Sequence, residues 1–259
     1  MSYENLLTEI GDDFVAEITL NRPDQLNTFN TPLAGGLVQA LEELDADTKV
    51  RVIIVKGAGK AFCAGIDVNE LEGKTAMEYK AWIEHMEKPL VTISRMSKPV
   101  IAQVHGVAAA NGAGLVAAAD LAIAAENTRF GLTAINVGLN CIGPVVPVTR
   151  SVGRKRALEL LLYGDLIKAP IALEMGLINR VVPNGEARRA AEALAHDLAK
   201  FPQMCMNLDR TSVYRQWDLP FEHAMKAEFA HGVAAVDAEG QSGAARFADG
   251  AGRSGSFSD

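Results

Sequence analysis

Lys98–Asp120 reads KPVIAQVHGVAAANGAGLVAAAD, and this stretch decides the fold. Val100, Ile101, Ala102 and Val104 make a short apolar run, the pattern of a buried strand. A turn of small residues follows, with Gly106, Asn111, Gly112 and Gly114, and the Ala/Leu/Val run Gly112–Ala119 then predicts a helix. A strand that feeds a small-residue turn and then a helix leaves backbone N–H groups free at the helix start. Such groups can hold a negatively charged oxygen. No Asp, Glu, Lys, Arg, Ser, Cys or Tyr lies between Gly106 and Ala119. The segment therefore reads as an anion-stabilising site whose own helix carries no acid, base or nucleophile.

Outward from this centre, strands and helices alternate. Tyr3–Ile10 and Phe14–Leu20 read as a hairpin across Gly11-Asp12-Asp13. Leu33, Leu37, Ala40, Leu41 and Leu44 recur at helical spacing and predict a helix over Thr31–Ala46, with Thr31 before Pro32 as its start signal. Val50–Lys56 and Leu121–Ala125 read as buried strands, Gly57–Asp67 as a turn-rich loop, and Ala76–Met96 as a helix strained by Pro89. From Arg154 onward helical patterns dominate: Lys155–Leu162, Ala169–Met175, Glu186–Lys200, Pro202–Gln216 and Phe221–Ala230. One short strand, Ile178–Val182, interrupts them. The Gly/Ser-rich tail Gly250–Asp259 is expected to fray. Strands paired with helices early and helices alone late give an α/β core, 1–201, and a helical C-terminal subdomain, 202–259, divided near Pro202.

The 259 residues suffice for one large core. Acidic residues outnumber basic ones 32 to 25, which argues against nucleic acid and anionic membrane as partners. The apolar run Val100–Ala125 is interrupted by Gln103, His105, Asn111 and Asp120 and is not a membrane span. Cys63, Cys141 and Cys205 are far apart, so neither a metal site nor a disulfide framework is expected. With no basic or apolar leader in MSYENLLTEI, the expected compartment is the cytoplasm.

Two loops matter together: GAGKAFCAGIDVNEL, Gly57–Leu71, and HGVAAANGAGL, His105–Leu115. One backbone N–H from each could converge on a carbonyl oxygen, which is what stabilising an enolate requires. With them stand LNRPDQLNTF (Leu20–Phe29), DLAIAAENTRFG (Asp120–Gly131), VGRKRALELLLYGD (Val152–Asp165) and EMGLINRVVP (Glu174–Pro183). In these segments, their order and their spacing, the chain resembles the crotonase superfamily, also called the enoyl-CoA hydratase/isomerase family, over roughly residues 3–250. The resemblance implies a spiral of ββα units with a helical C-terminal part, assembly as a homotrimer or hexamer, and an acyl-CoA substrate, with coenzyme A as part of the thioester and no separate cofactor. It implies a thioester enolate held by the N–H groups of Ile66 and Asn111. It places CoA along Asp24, Gln25 and Leu26 and along Ala64, Ile66 and Val68, through backbone contacts. Lys56, Lys60 and Arg22 could meet its phosphates, or be plain solvated charges.

The chain departs from the family pattern where the chemistry is expected. Typical hydratases of the family use two glutamates; the matching positions here are Gly114 and Ala134. Neither can transfer a proton, which argues against conventional hydration. In a dehalogenating relative, a His and a nucleophilic Asp occupy positions that match Glu87 and Ile142. Ile142 cannot be a nucleophile. Glu87 lies beside the apolar stripe of Ile83 and Leu90, as a buried carboxyl of raised pKa or as a solvated edge residue. Asn140 and Cys141 could face the acyl group, with Cys141 read as a buried structural thiol. His105 and Asp120 read as structural, and Trp82 and Trp217 as packing residues. The readings left open are an acyl-CoA enzyme with Glu87 as its leading acid/base, a lyase or isomerase without the glutamate pair, an acyl-CoA-binding pseudoenzyme, and an assembly module.

Overall fold

In the computed structural model, residues 3–252 are described. The hairpin forms from β1 (Leu6–Ile10) and β2 (Val15–Leu20), antiparallel with Leu6 opposite Leu20. After it come β3 (Val52–Gly57), β4 (Val100–Val104), β5 (Val107–Ala109), β6 (Leu121–Ala125), β7 (Arg129–Gly131), β8 (Ile167–Lys168) and β9 (Arg180–Val182). One sheet has the order β1-β2-β3-β4-β6-β9 and is parallel from β2 onward. Its central strands are near-continuous apolar runs because both faces are covered.

The helices that cover it are α1 (Thr31–Ala46), α2 (Ala76–Arg95), α3 (Asn111–Ala118), α4 (Val145–Tyr163), α5 (Ala169–Met175) and α6 (Ala187–Lys200). α1 buries Leu33, Leu37, Leu41 and Leu44 in the main core, together with Phe29, Phe62 and Phe130. α6 lays Ala191, Ala195 and Ala199 on the opposite face, against Val52, Ile54, Ile101 and Ile123. The cap of α1 is Asn30, whose side chain accepts from Leu33 N–H, and not Thr31. Thr31 instead donates its hydroxyl to Glu70. α2 opens on a capping box between Thr75 and Glu78 and runs on through Pro89 to Arg95.

A second, three-stranded sheet, β5-β7-β8, is absent from the sequence reading. Its strands are two or three residues long, too short for a period-2 pattern to show. α4 begins at Val145, ten residues before the predicted Lys155, and is broken at Gly153 (φ 76°, ψ 163°), so the apolar periodicity restarts there.

The chain then passes Pro202 into α7 (Gln203–Arg215), α8 (Phe221–Ala235) and α9 (Gln241–Arg246). Arg210 of α7 is buried; it donates to Asp120 at 2.9 Å and to the carbonyls of Ile93 and Met96. Asp120 also accepts from Val100 N–H and the Tyr214 hydroxyl, so it ties β4 and α7 together. The expectation about the tail beyond residue 252 falls outside the described residues.

Candidate active site

The two glycine-rich loops run side by side. Phe62 N–H donates to His105 O, Cys63 N–H to Val107 O, and Ala109 N–H returns to Cys63 O at 2.9 Å. This pairing brings Gly65 against Ala110, immediately before α3. Ala110 has φ 46° and ψ −116°, outside the regions open to a non-glycine residue at low cost. Such a backbone stores about 1–3 kcal/mol and needs surroundings that over-determine it. Here the Ala110 N–H is held by Gly131 O and the Ala110 carbonyl by Gly114 N–H, each at 2.9 Å. The kink frees the next N–H, that of Asn111, from any strand ladder. On the facing loop Phe29 N–H donates to Gly65 O and Asp67 N–H to Phe29 O, which leaves Ile66 N–H pointing away from that pairing. Neither the Ile66 nor the Asn111 N–H has a hydrogen-bond partner among the described residues. Both residues line one cavity of about 410 Å³.

Glu87 reaches the same cavity from α2. Only 9% of it is exposed. The Asn111 side-chain N–H donates to its Oε1 at 2.9 Å, while its Oε2 has no partner among the described residues. Burial pushes the carboxyl up to about 7, against the opposing pull of the Asn111 bond. Oε2 packs against Gly143: a Cβ there would lie 1.9 Å from it. Cys141, buried on the same wall, has its thiol pushed upward by burial first, with the Glu87 charge adding to the shift.

The positions that match the family's acids are apolar. A Cβ on Gly114 would stand 2.8 Å from Pro144 Cγ, so that space belongs to the start of α4. Ala134 and Ile142 line the cavity as hydrocarbon.

Of the residues read as lying along CoA, Ala64, Ile66 and Val68 line the cavity. Asp24, Gln25 and Leu26 lie outside its wall, on a turn joined to it by the bond from Ala64 N–H to Leu26 O at 3.0 Å. Asn27, which the sequence reading passed over, pins this turn. It is fully buried, and its amide donates to Ala58 O and Ala61 O at 2.8 Å each. Two candidate phosphate ligands are engaged elsewhere: Arg22 with Asp67 (2.8 Å) and the Thr28 carbonyl, and Lys56 with Glu17. Lys60 is exposed and has no ion pair among the described residues.

Trp82 does more than pack. It lines the cavity and donates its indole N–H to Glu70 at 3.0 Å. Trp217 is half exposed, beneath the Arg150 guanidinium, and not a core residue. His105 holds the Gly59 carbonyl.

The family model of enoyl-CoA hydratase/isomerase matches residues 11–250. The 1,2-epoxyphenylacetyl-CoA isomerase of Escherichia coli (strain K12) is 35% identical over 205 residues, 77% of this chain and 78% of that protein. The human mitochondrial enoyl-CoA hydratase domain-containing protein 3 is 34% identical over 206 residues, 79% of this chain and 68% of its own length. A crystal structure of enoyl-CoA hydratase from Mycobacterium smegmatis superposes with a TM-score of 0.92 at 33% identity, covering 95% of this chain and 96% of that one.

Proposed function

The chain belongs to the enoyl-CoA hydratase/isomerase family, the crotonase superfamily, and from that premise we propose that it moves a proton on an acyl-CoA thioester with one carboxyl, Glu87, rather than hydrating it with two. The thioester oxygen accepts from Ile66 and Asn111 N–H, which stabilises the enolate as the α-proton leaves. Glu87 carboxylate takes that proton and can return it to the same carbon or to the γ-carbon, the latter being double-bond isomerisation.

The observation that carries this reading is the Glu87 carboxyl itself. It is buried in the cavity wall, held on Oε1 by Asn111 and, among the described residues, left unpartnered on Oε2. Its pKa of about 7 gives it both protonation states near neutrality, as a group that gives and takes one proton requires. Hydration would need a second group to activate water, and Gly114 and Ala134 supply none. The isomerase name of the E. coli relative agrees with this direction. The pseudoenzyme reading rests on the same two missing acids.

CoA would follow Asp24, Gln25 and Leu26 and the Ala64–Val68 backbone, with Lys60 as the one phosphate ligand still available among those singled out. The free thiols Cys63, Cys141 and Cys205 fit a reducing compartment such as the cytosol. The helices after Pro202 would serve assembly into a trimer or hexamer.

A substrate panel tests the chemistry. Isomerisation of a 3-enoyl-CoA should exceed crotonyl-CoA hydration, rise with pH through about 7, and fall at least ~10²-fold in Glu87→Gln. Hydration at an ordinary ~1–10³ s⁻¹, untouched by that substitution, would sink the proposal.

A further inference from the structure

Asn111 brings two N–H donors to one point. Its backbone N–H has no partner among the described residues, and its side-chain amide donates to Glu87 Oε1 at 2.9 Å. The residue is buried and opens α3 directly after the Ala110 kink, so one held stretch of backbone places both donors. On its other side the carboxyl is confined by Gly143. A Cβ there would lie 1.9 Å from Oε2 and 2.1 Å from Cδ, so the Glu87 carboxyl fills the place that a side chain at position 143 would take.

The other titratable groups around this carboxyl are committed elsewhere. Arg210 of α7 pairs with Asp120, which also accepts from Tyr214, and Arg150 of α4 lies 3.8 Å from Asp218. Tyr79 donates to Leu71 O, and burial keeps the Cys141 thiol protonated. Glu84 and Lys88, beside Glu87 on α2, are exposed. Among the described residues, the Asn111 amide is the one group that donates to the carboxyl.

We infer that the Asn111 side chain is a positioning residue, which fixes the Glu87 carboxyl relative to the thioester oxygen that the backbone N–H of the same residue would hold. This rests on the proton-transfer reading above. The amide N–H bonds more strongly to an ionised oxygen than to a neutral one, so it also biases Glu87 toward the carboxylate, the form that accepts a proton.

The test compares the full chain with Asn111→Ala and Asn111→Asp. Protonation of Glu87 is read from its carboxyl stretch in difference infrared spectra, identified as the band missing in Glu87→Gln. Exchange of the α-hydrogens of butyryl-CoA in D₂O and its dissociation constant are measured beside it. Asn111→Ala removes the amide and keeps the backbone N–H. Binding should therefore hold, exchange near neutral pH should fall ~10–10²-fold, and the Glu87 midpoint should rise from about 7 by roughly one to two pH units. Asn111→Asp keeps the volume and sets a second carboxyl beside the first, which should raise the midpoint further. A midpoint common to all three chains overturns this inference. So does a joint fall in binding and exchange with the midpoint unmoved, which a purely structural Asn111 would give. If Asn111→Ala does not fold, Asn111→Asp decides in the same way. Absence of exchange in the unaltered chain overturns the proposed function instead, while the infrared midpoints still decide the Asn111–Glu87 pairing.

Discussion

At the scale of single residues, a carboxyl that titrates at about 7 instead of 4.5 binds a proton in the folded chain that the unfolded chain has released. Between those values the folded state holds more protons, so stability falls as pH rises, by about 1.4 kcal/mol per unit and of order 3 kcal/mol in all. Glu87→Gln removes this dependence. Denaturant unfolding at pH 5 and pH 8 should therefore show the variant gaining a few kcal/mol on the parent at the higher pH. An identical difference at both pH values would place Glu87 in water. Ile83 and Leu90, one turn away on the helix, put Glu87 at the edge of an apolar stripe and left the buried and the solvated reading both open; the cavity wall decides for burial. Gly143 and Asn27 were not legible. Gly143 matters because it touches a carboxylate 56 positions earlier, and Asn27 because it grips carbonyls more than thirty positions later. Such approaches leave no trace in local spacing. The ion pairs of Arg22 and Lys56 were not legible for a related reason. Each had a carboxylate brought beside it by folding, Asp67 across a loop and Glu17 across the β2–β3 pairing.

Between elements, the contact of α3 with the start of α4 sets what chemistry is possible. Pro144 occupies the space into which a side chain at position 114 would grow. Gly114→Glu should therefore not restore hydration, alone or with Ala134→Glu. It should destabilise the fold by about 1–3 kcal/mol through overpacking. Thermal unfolding and a crotonyl-CoA assay check this; a stable variant that hydrates efficiently would contradict it. The long elements were legible because their periodicity is strong: α1 lies where Leu33, Leu37, Leu41 and Leu44 put it. The second sheet was invisible because β5, β7 and β8 are too short to alternate. It nevertheless positions the site, since β5 leads into the Ala110 kink and Gly131 of β7 supplies the carbonyl that holds it. The first turns of α4 were missed because Gly153 separates them from the stronger pattern after Arg154.

At the scale of the whole molecule, the C-terminal helices present an apolar face that none of the described residues covers. Phe221, Phe229 and Val233 of α8 are each more than 60% exposed. A monomer seldom leaves such a surface uncovered. Light scattering at micromolar concentration should give the mass of a trimer or a hexamer, and a monomeric mass would contradict the assembly reading. The α/β class and the helical C-terminal region were legible from the order of elements alone. The convergence of two loops on one cavity was not, because pairing between segments some forty residues apart is a property of the sheet and not of either loop.

The central claim is that Glu87 exchanges a proton with the α-carbon of a thioester polarised by Ile66 and Asn111 N–H. Incubating the protein with butyryl-CoA in D₂O above pH 7, and following the α-hydrogens by proton NMR, tests it without assuming a natural substrate or a net reaction. The expected result is steady deuterium incorporation at the α-carbon by the parent chain, reduced at least ~10²-fold in Glu87→Gln with butyryl-CoA binding retained. Bound butyryl-CoA whose α-hydrogens do not exchange, or exchange equally fast in the variant, would contradict it.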